Sequence, residues 1–401
     1  MKKLMLTAVV ALMSGAAMAQ NPDAVKEILA ASDYQTALSL TEAAASSMTS
    51  EEKAKAYNKV VELAAAKYTK ESEVALKNQV TGAGEAYDKE GMEDAAIAAM
   101  QYALVCDEYD NQPNEKGKVK PKYHAANVTR LATVRNDLLQ LGNNQLTAND
   151  FVKAGKSWGL FIDSAPMFVE GGLTAIPGYG QIAYFTSYAY YQIKDHANVC
   201  KYADIAMGDA EYAESALEIK LASMKGQLHT AEDSLKYLDD LKAMYEADPL
   251  QSSVFGNLWD LYTAMGNDAA KDALLEHQLS VNPTNASVWV AKGLEDMEKQ
   301  DWDASIVSFG KAVDINADYL QGRIYLALCL NNKAITLKDA NNGVMTDEAS
   351  DCVKKSIDHL LILREKDPDH EQVNWPYTLY QAYYLIGDEA GMSEVEPLVN
   401  K

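Results

Sequence analysis

The chain is short of cysteine, proline and basic residues for its length. Its 401 residues include only 4 Cys, 10 Pro and 22 Gly, and 36 Lys and Arg stand against 58 Asp and Glu. So few cysteines exclude a small disulfide-rich scaffold, and the low Gly and Pro content excludes a collagen-like or low-complexity chain. The formal net charge of -22 disfavours nucleic acid as a partner, because an acidic chain repels phosphates.

Long apolar runs are also missing, apart from one near the start of the chain. Lys2 and Lys3 precede the apolar stretch 4–13, and the small residues 17–19 follow it. The stretch is too short to span a bilayer, so the pattern predicts a secretory signal peptide over residues 1–19, cleaved after Ala19. We therefore expect an exported protein without membrane insertion.

The four cysteines lie in apolar stretches of helical character. They are Cys106, Cys200, Cys329 and Cys352, and no two of them form a C-x-x-C pair. Metal binding through them is not expected. Cys329 and Cys352 could form a disulfide if they lie on facing helices, but the sequence does not choose among the three pairings that four cysteines allow. A buried free thiol is the alternative.

A spacing of 34 residues recurs in the C-terminal half of the chain. Pro249 and Pro283 stand 34 residues apart, and so do Leu275 and Phe309. Apolar residues spaced three and four apart predict that each unit contains a helix, a break and a second helix. A repeat of this length and composition indicates stacked helical hairpins that bury their apolar faces against one another.

These features resemble the tetratricopeptide repeat, a 34-residue helix-turn-helix unit. Two stretches carry most of the resemblance. The matching residues are Gly84, Tyr87, Gly91, Ala96, Met100 and Ala103 in the first stretch, and Trp289, Gly293, Trp302, Phe309 and Ala312 in the second. The resemblance implies an all-α fold, an α-solenoid of such repeats with extra N-terminal helices. It also implies that Trp302 and Phe309 fill the core.

The repeat pattern divides the chain after the signal peptide. The expected segments are N-terminal helices over 20–70, repeats over 71–166 with an inserted loop at 110–121, an apolar loop at 167–180, and an array over 181–401 with an inserted loop at 339–347. The N-terminal helices are either a worn repeat or a cap. The apolar loop either packs over the repeats or forms a contact surface.

Motifs for catalysis, metal binding and nucleotide binding are not found. The six histidines lack metal-ligand spacing. Residues 154–157, AGKS, end like a phosphate-binding loop, but Asp150 stands where that motif requires Gly. No G-x-S-x-G motif occurs either. We therefore expect a protein that is not an enzyme and needs no cofactor.

Binding is the function that remains, and the resemblance indicates where it occurs. In the tetratricopeptide family the first helix of each hairpin lines the concave side, which here would present Tyr184, Tyr188, Tyr191, Tyr377 and Tyr384. Tyrosine combines a broad apolar face with a polar tip, which suits peptides or sugar rings. These tyrosines either contact a partner or pack between repeats.

The resemblance implies a scaffold in the bacterial periplasm that holds another envelope protein or a peptide along its concave face. The alternative is capture of a glycan or peptide ligand on a tyrosine-lined groove. The sequence does not indicate an oligomeric state.

Overall fold

A computed structural model describes residues 22–113 and 117–399. This part of the chain contains α-helices and two short 3₁₀ turns and no strand, as the all-α prediction requires. It divides into two compact units, the first ending at Gly226 and the second beginning at Gln227. The predicted signal peptide with its cleavage site, and residues 114–116 of the loop predicted at 110–121, lie outside the described residues.

The first unit is built from helices that pack against their neighbours in chain order. They are α1 (Pro22–Ala30), α2 (Tyr34–Ala44), α3 (Ser50–Thr81), α4 (Lys89–Asp110), α5 (His124–Thr147), α6 (Phe151–Asp163), α7 (Ala165–Phe168), α8 (Tyr179–Gln192), α9 (His196–Ala206) and α10 (Ala213–Lys225). The hairpins α3–α4, α5–α6 and α8–α9 supply most of its core.

The second unit contains the regular repeats. Its helices are α11 (Ala231–Ala247), α12 (Ser252–Ala264), α13 (Asp268–Val281), α14 (Ala286–Glu298), α15 (Trp302–Ile315), α16 (Leu320–Ala340), α17 (Asp347–Lys366), α18 (Trp375–Ile386) and α19 (Glu389–Val399). Helices α12, α14 and α16 begin 34 residues apart, and so do α13 and α15. The predicted period is therefore confirmed there, and the longer hairpin α16–α17 ends it.

Many hairpins turn through the same two-residue device. A residue with positive φ is followed by an Asp or Asn whose side-chain oxygen accepts a backbone N–H of the next helix, which satisfies one of that helix's unpaired donors. The pairs are Asn149-Asp150, Lys194-Asp195, Gly266-Asn267, Gln300-Asp301 and Gly387-Asp388. Part of the acidic excess of the chain thus serves to start helices.

Close contact between helices depends on small residues facing large ones. A Cβ added to Gly293 on α14 would lie 2.7 Å from the ring of Phe309 on α15, and Phe309 is fully buried. Phe309 therefore occupies the core position that the sequence predicts. Trp302 does not, because it lies at the first residue of α15 and stays partly exposed.

The first unit departs from the predicted repeat boundaries. The boundary expected between residues 70 and 71 lies inside α3, and Gly84 and Tyr87 lie in the loop 82–88 instead of on a first helix. Gly82 is the cause, since its φ of 68° ends α3 in the left-handed region. The second helix of the predicted repeat is α4, where Ala96 and Met100 are fully buried as expected.

The apolar loop predicted at 167–180 packs over the first unit. It contains the end of α7, a 3₁₀ turn at Leu173–Ala175 and the start of α8. Phe168, Leu173 and Ile176 contact the buried core. Of the two alternatives for this loop, the structure shows packing.

A buried arginine and a histidine meet in the second unit. Nη1 of Arg323 lies 3.1 Å from Nδ1 of His359, and Nη2 donates to the carbonyl oxygen of Ala317 at 2.8 Å. Burial, and then the positive charge of Arg323, lower the pKa of His359 below its ordinary value of 6.5, although Asp358 and Asp314 oppose this shift.

Acidification from about pH 7.5 to about pH 5.5 should therefore destabilise the second unit. Unfolded His359 takes up a proton near its ordinary pKa while the folded residue resists it, so its contribution is complete above that value and is lost as the pH falls through the lowered pKa. Urea unfolding of His359→Gln should depend less on pH over this range than the wild type. The exposed His229 gives the control variant His229→Gln, which should keep the full dependence.

Candidate functional site

Two of the predicted binding tyrosines are occupied by packing inside the first unit. The ring of Tyr184 contacts Phe185 edge-on at 5.4 Å and Tyr212 at 5.8 Å between centroids. The ring of Tyr188 contacts Phe151 edge-on at 6.3 Å. Both are partly buried, so at these positions the inter-helix alternative fits better than partner contact. Tyr191, close to the C-terminal end of α8, is 38% exposed and leaves part of its ring available.

The two tyrosines of α18 are open to solvent. Tyr377 is 52% exposed and Tyr384 is 66% exposed. Seven residues separate them, so they lie on one face of the helix; we call these two residues the α18 tyrosine face. The opposite side of α18 is buried through Leu379 and Ala382.

Residues just before α18 fix the position of that face. Asp367, at the end of α17, is buried, and its carboxylate accepts the backbone N–H groups of Gln372 at 3.0 Å and Val373 at 2.9 Å. The indole N–H of the fully buried Trp375 donates to the carbonyl oxygen of Asp367 at 2.7 Å. The sequence analysis missed this anchor, although an Asp followed eight residues later by Trp-Pro at a helix start is a visible signal.

An apolar cavity of about 410 Å³ opens on the first unit. It is lined by Gln101, Leu104, Val105 and Glu108 of α4, Leu160, Ile162 and Asp163 of α6, Pro166, Leu173, and Lys201 and Ile205 of α9. The sequence analysis did not predict it, because the lining residues are far apart in the chain and each one alone is typical of a helix core. The apolar Leu173 in an inserted segment was the one indication.

Cysteine and metal chemistry contribute little to these surfaces. Cys329 and Cys352 are both buried and both are free thiols, so the disulfide considered for them is not formed. Burial raises the pKa of Cys329 to about 12, which keeps that thiol protonated and unreactive. In the described part of the chain, no group of three His, Cys, Asp or Glu residues is placed to hold a metal ion. No described helix combines the length and apolarity needed to cross a bilayer.

Comparison with known proteins finds similarity at the level of solved structures. No family model matches the chain, and no curated protein sequence matches it. The C-terminal part of a TPR repeat-containing protein from Cytophaga hutchinsonii is 13% identical with a TM-score of 0.39, over 65% of this chain and 93% of that one.

Two further structures are similar to the chain. The human IFIT1 dimer with m7Gppp-AAAA is 14% identical with a TM-score of 0.39, over 78% of this chain and 73% of that one. The TPR domain of P58(IPK) is 10% identical with a TM-score of 0.25, over 91% of this chain and 92% of that one. Identities this low concern the fold alone. The 34-residue spacing of the helices in the second unit is what makes its hairpins tetratricopeptide-type.

Proposed function

We propose that this protein is a non-enzymatic scaffold of the bacterial periplasm that binds another envelope protein or a peptide. The observation that carries the proposal is the α18 tyrosine face, where two rings are more than half exposed on one side of a well-anchored helix. Tyrosine is enriched among the few residues that supply most of the binding energy of protein interfaces. A fixed helix that presents two such rings loses little side-chain entropy on binding.

Charge and the N-terminal pattern support the rest of the proposal. The net charge of -22 favours a neutral or basic partner over an acidic one. The signal-like residues 1–19 support export. Tyr191 on α8 adds a smaller exposed ring in the first unit.

Site-specific crosslinking in the producing bacterium tests this function. A photoreactive phenylalanine at position 384 should capture a discrete envelope partner, whereas the same group at Val307, an exposed position on α15, should not. For a partner captured at position 191, the double variant Tyr377→Ala, Tyr384→Ala should reduce recovery at least tenfold, since truncating central interface tyrosines typically costs about 1–2 kcal/mol each.

The matched control is Val307→Ala, Val344→Ala, which truncates two other exposed apolar residues of the second unit. Equal recovery of the partner by the tyrosine variant and this control would show that the α18 tyrosine face does not bind it. Glycan binding that is lost in the tyrosine variant while protein partners are retained would favour the glycan alternative instead.

A further inference from the structure

The cavity of the first unit is enclosed by five elements that are distant in the chain. Helices α4, α6 and α9 form its walls, and Pro166 and Leu173 close one side. Its volume of about 410 Å³ lies within the range of small-molecule sites, which are typically about 300–1,000 Å³ and mostly apolar with a few polar groups. The cavity therefore has the size and the lining of a ligand site.

A buried arginine holds the inserted wall in place. Arg135 of α5 is 6% exposed, and its guanidinium donates to Ser164 Oγ and to the carbonyl oxygen of Phe161, both at 3.0 Å. The same guanidinium lies 4.0 Å from the ring of Phe161 and 5.6 Å from the ring of Phe168. These contacts fix α7 between α6 and the 3₁₀ turn that carries Leu173, so the wall is a built feature and not a loose loop.

The charges of the lining limit what the cavity can accept. Nζ of Lys201 lies 2.7 Å from Oδ2 of Asp163, and the Tyr202 hydroxyl donates to the same oxygen at 3.0 Å. The one cation of the lining is thus already neutralised. Glu108 is exposed at the edge and has no hydrogen-bond or ion-pair partner among the described residues. An anionic ligand would meet an unpaired carboxylate there, whereas a cationic one would gain a partner.

We propose that this cavity binds a small amphiphile, with an apolar chain against Leu104, Val105 and Ile205 and a positively charged end beside Glu108. This site is independent of the α18 tyrosine face, which lies in the other unit. The apolar wall supplies most of the affinity through removal of the chain from water. Glu108 supplies selectivity for the charge of the end group.

Calorimetric titration of the mature full-length chain with decylamine, decanol and decanoate tests the proposal. The three probes share an apolar chain and differ in the charge of the end group. Decylamine should bind most tightly and decanoate least. The preference for decylamine over decanol should be at most about fivefold, because an exposed ion pair contributes little.

Four variants separate the cavity from non-specific attraction to an acidic protein. Leu104→Asp and Val105→Phe should each abolish binding of decanol, while Val152→Asp, at an exposed position of α6 outside the lining, should not. Glu108→Gln should remove the preference for decylamine. Glu73→Gln makes the same charge change on the exposed surface of α3 and should leave the preference intact.

Several results would overturn the proposal. The cavity assignment is wrong if decanol does not bind, or binds equally to the wild type and to Leu104→Asp and Val105→Phe variants whose helical circular dichroism and melting curves are native-like. The end-group assignment is wrong if decanoate binds as tightly as decylamine, or if Glu73→Gln removes the preference as fully as Glu108→Gln.

Discussion

Replacement of Phe309 by alanine should destabilise the second unit by about 3–5 kcal/mol, the usual cost of removing a fully buried aromatic side chain. The ring of Phe309 is completely buried, stacks on Tyr325 with centroids 5.3 Å apart, and fills the space above Gly293. Because Gly293 has no side chain that could move into the vacated space, most of the cavity should remain.

Urea unfolding followed by hydrogen exchange at the amides of α14, α15 and α16 measures this loss. The matched control is Val307→Ala on the same helix, where the side chain is 57% exposed and the change should stay within about 0.5 kcal/mol. Similar losses for the two variants would mean that Phe309 does not lie in the core of these hairpins.

The sequence predicts this part of the fold well, for a physical reason. Each regular hairpin of the second unit must bring a small residue of its first helix against a large residue of its second, and Gly293 with Phe309 is such a pair. The pairing repeats only if helix lengths repeat, so the 34-residue spacing and the residue types carry the same information. Helix starts at Ser252, Ala286 and Leu320 follow from it.

Residue types alone mislead where the backbone does not repeat. Gly84 and Tyr87 match a first helix in order, but two glycines with positive φ, Gly82 and Gly84, keep the chain in a loop there. Trp302 and Trp375 each begin a helix, yet only Trp375 is fully buried, because the connection after α17 covers it. No pattern of helical spacing distinguishes these two tryptophans.

The candidate sites depend even more on long-range packing. The spacing of Tyr184, Tyr188 and Tyr191 correctly predicts one helix, but Tyr212 and Phe151 from other elements decide which rings remain free. The apolar cavity combines residues from α4 to α9, so its existence depends on how whole hairpins pack. Burial of this kind cannot be derived from a single sequence.

Replacement of Trp375 by alanine should cost a further large amount of stability, about 3–5 kcal/mol. The side chain is fully buried, lies edge-on to His370 with centroids 6.2 Å apart, and donates its indole N–H to Asp367. Alanine removes both the packed volume and the hydrogen bond. Urea unfolding, with hydrogen exchange at the amides of α18, measures the effect.

Trp375→Phe separates the two contributions, because it keeps most of the aromatic volume and loses the hydrogen bond. It should cost about 1–3 kcal/mol, the penalty for leaving a buried acceptor without its donor. Since this anchor sets where α18 begins, crosslinking from position 384 should fall more in Trp375→Ala than in Trp375→Phe. Unchanged crosslinking in a strongly destabilised Trp375→Ala variant would show that partner binding does not require the anchored start of α18, and the α18 tyrosine face would then act as a locally stable helix.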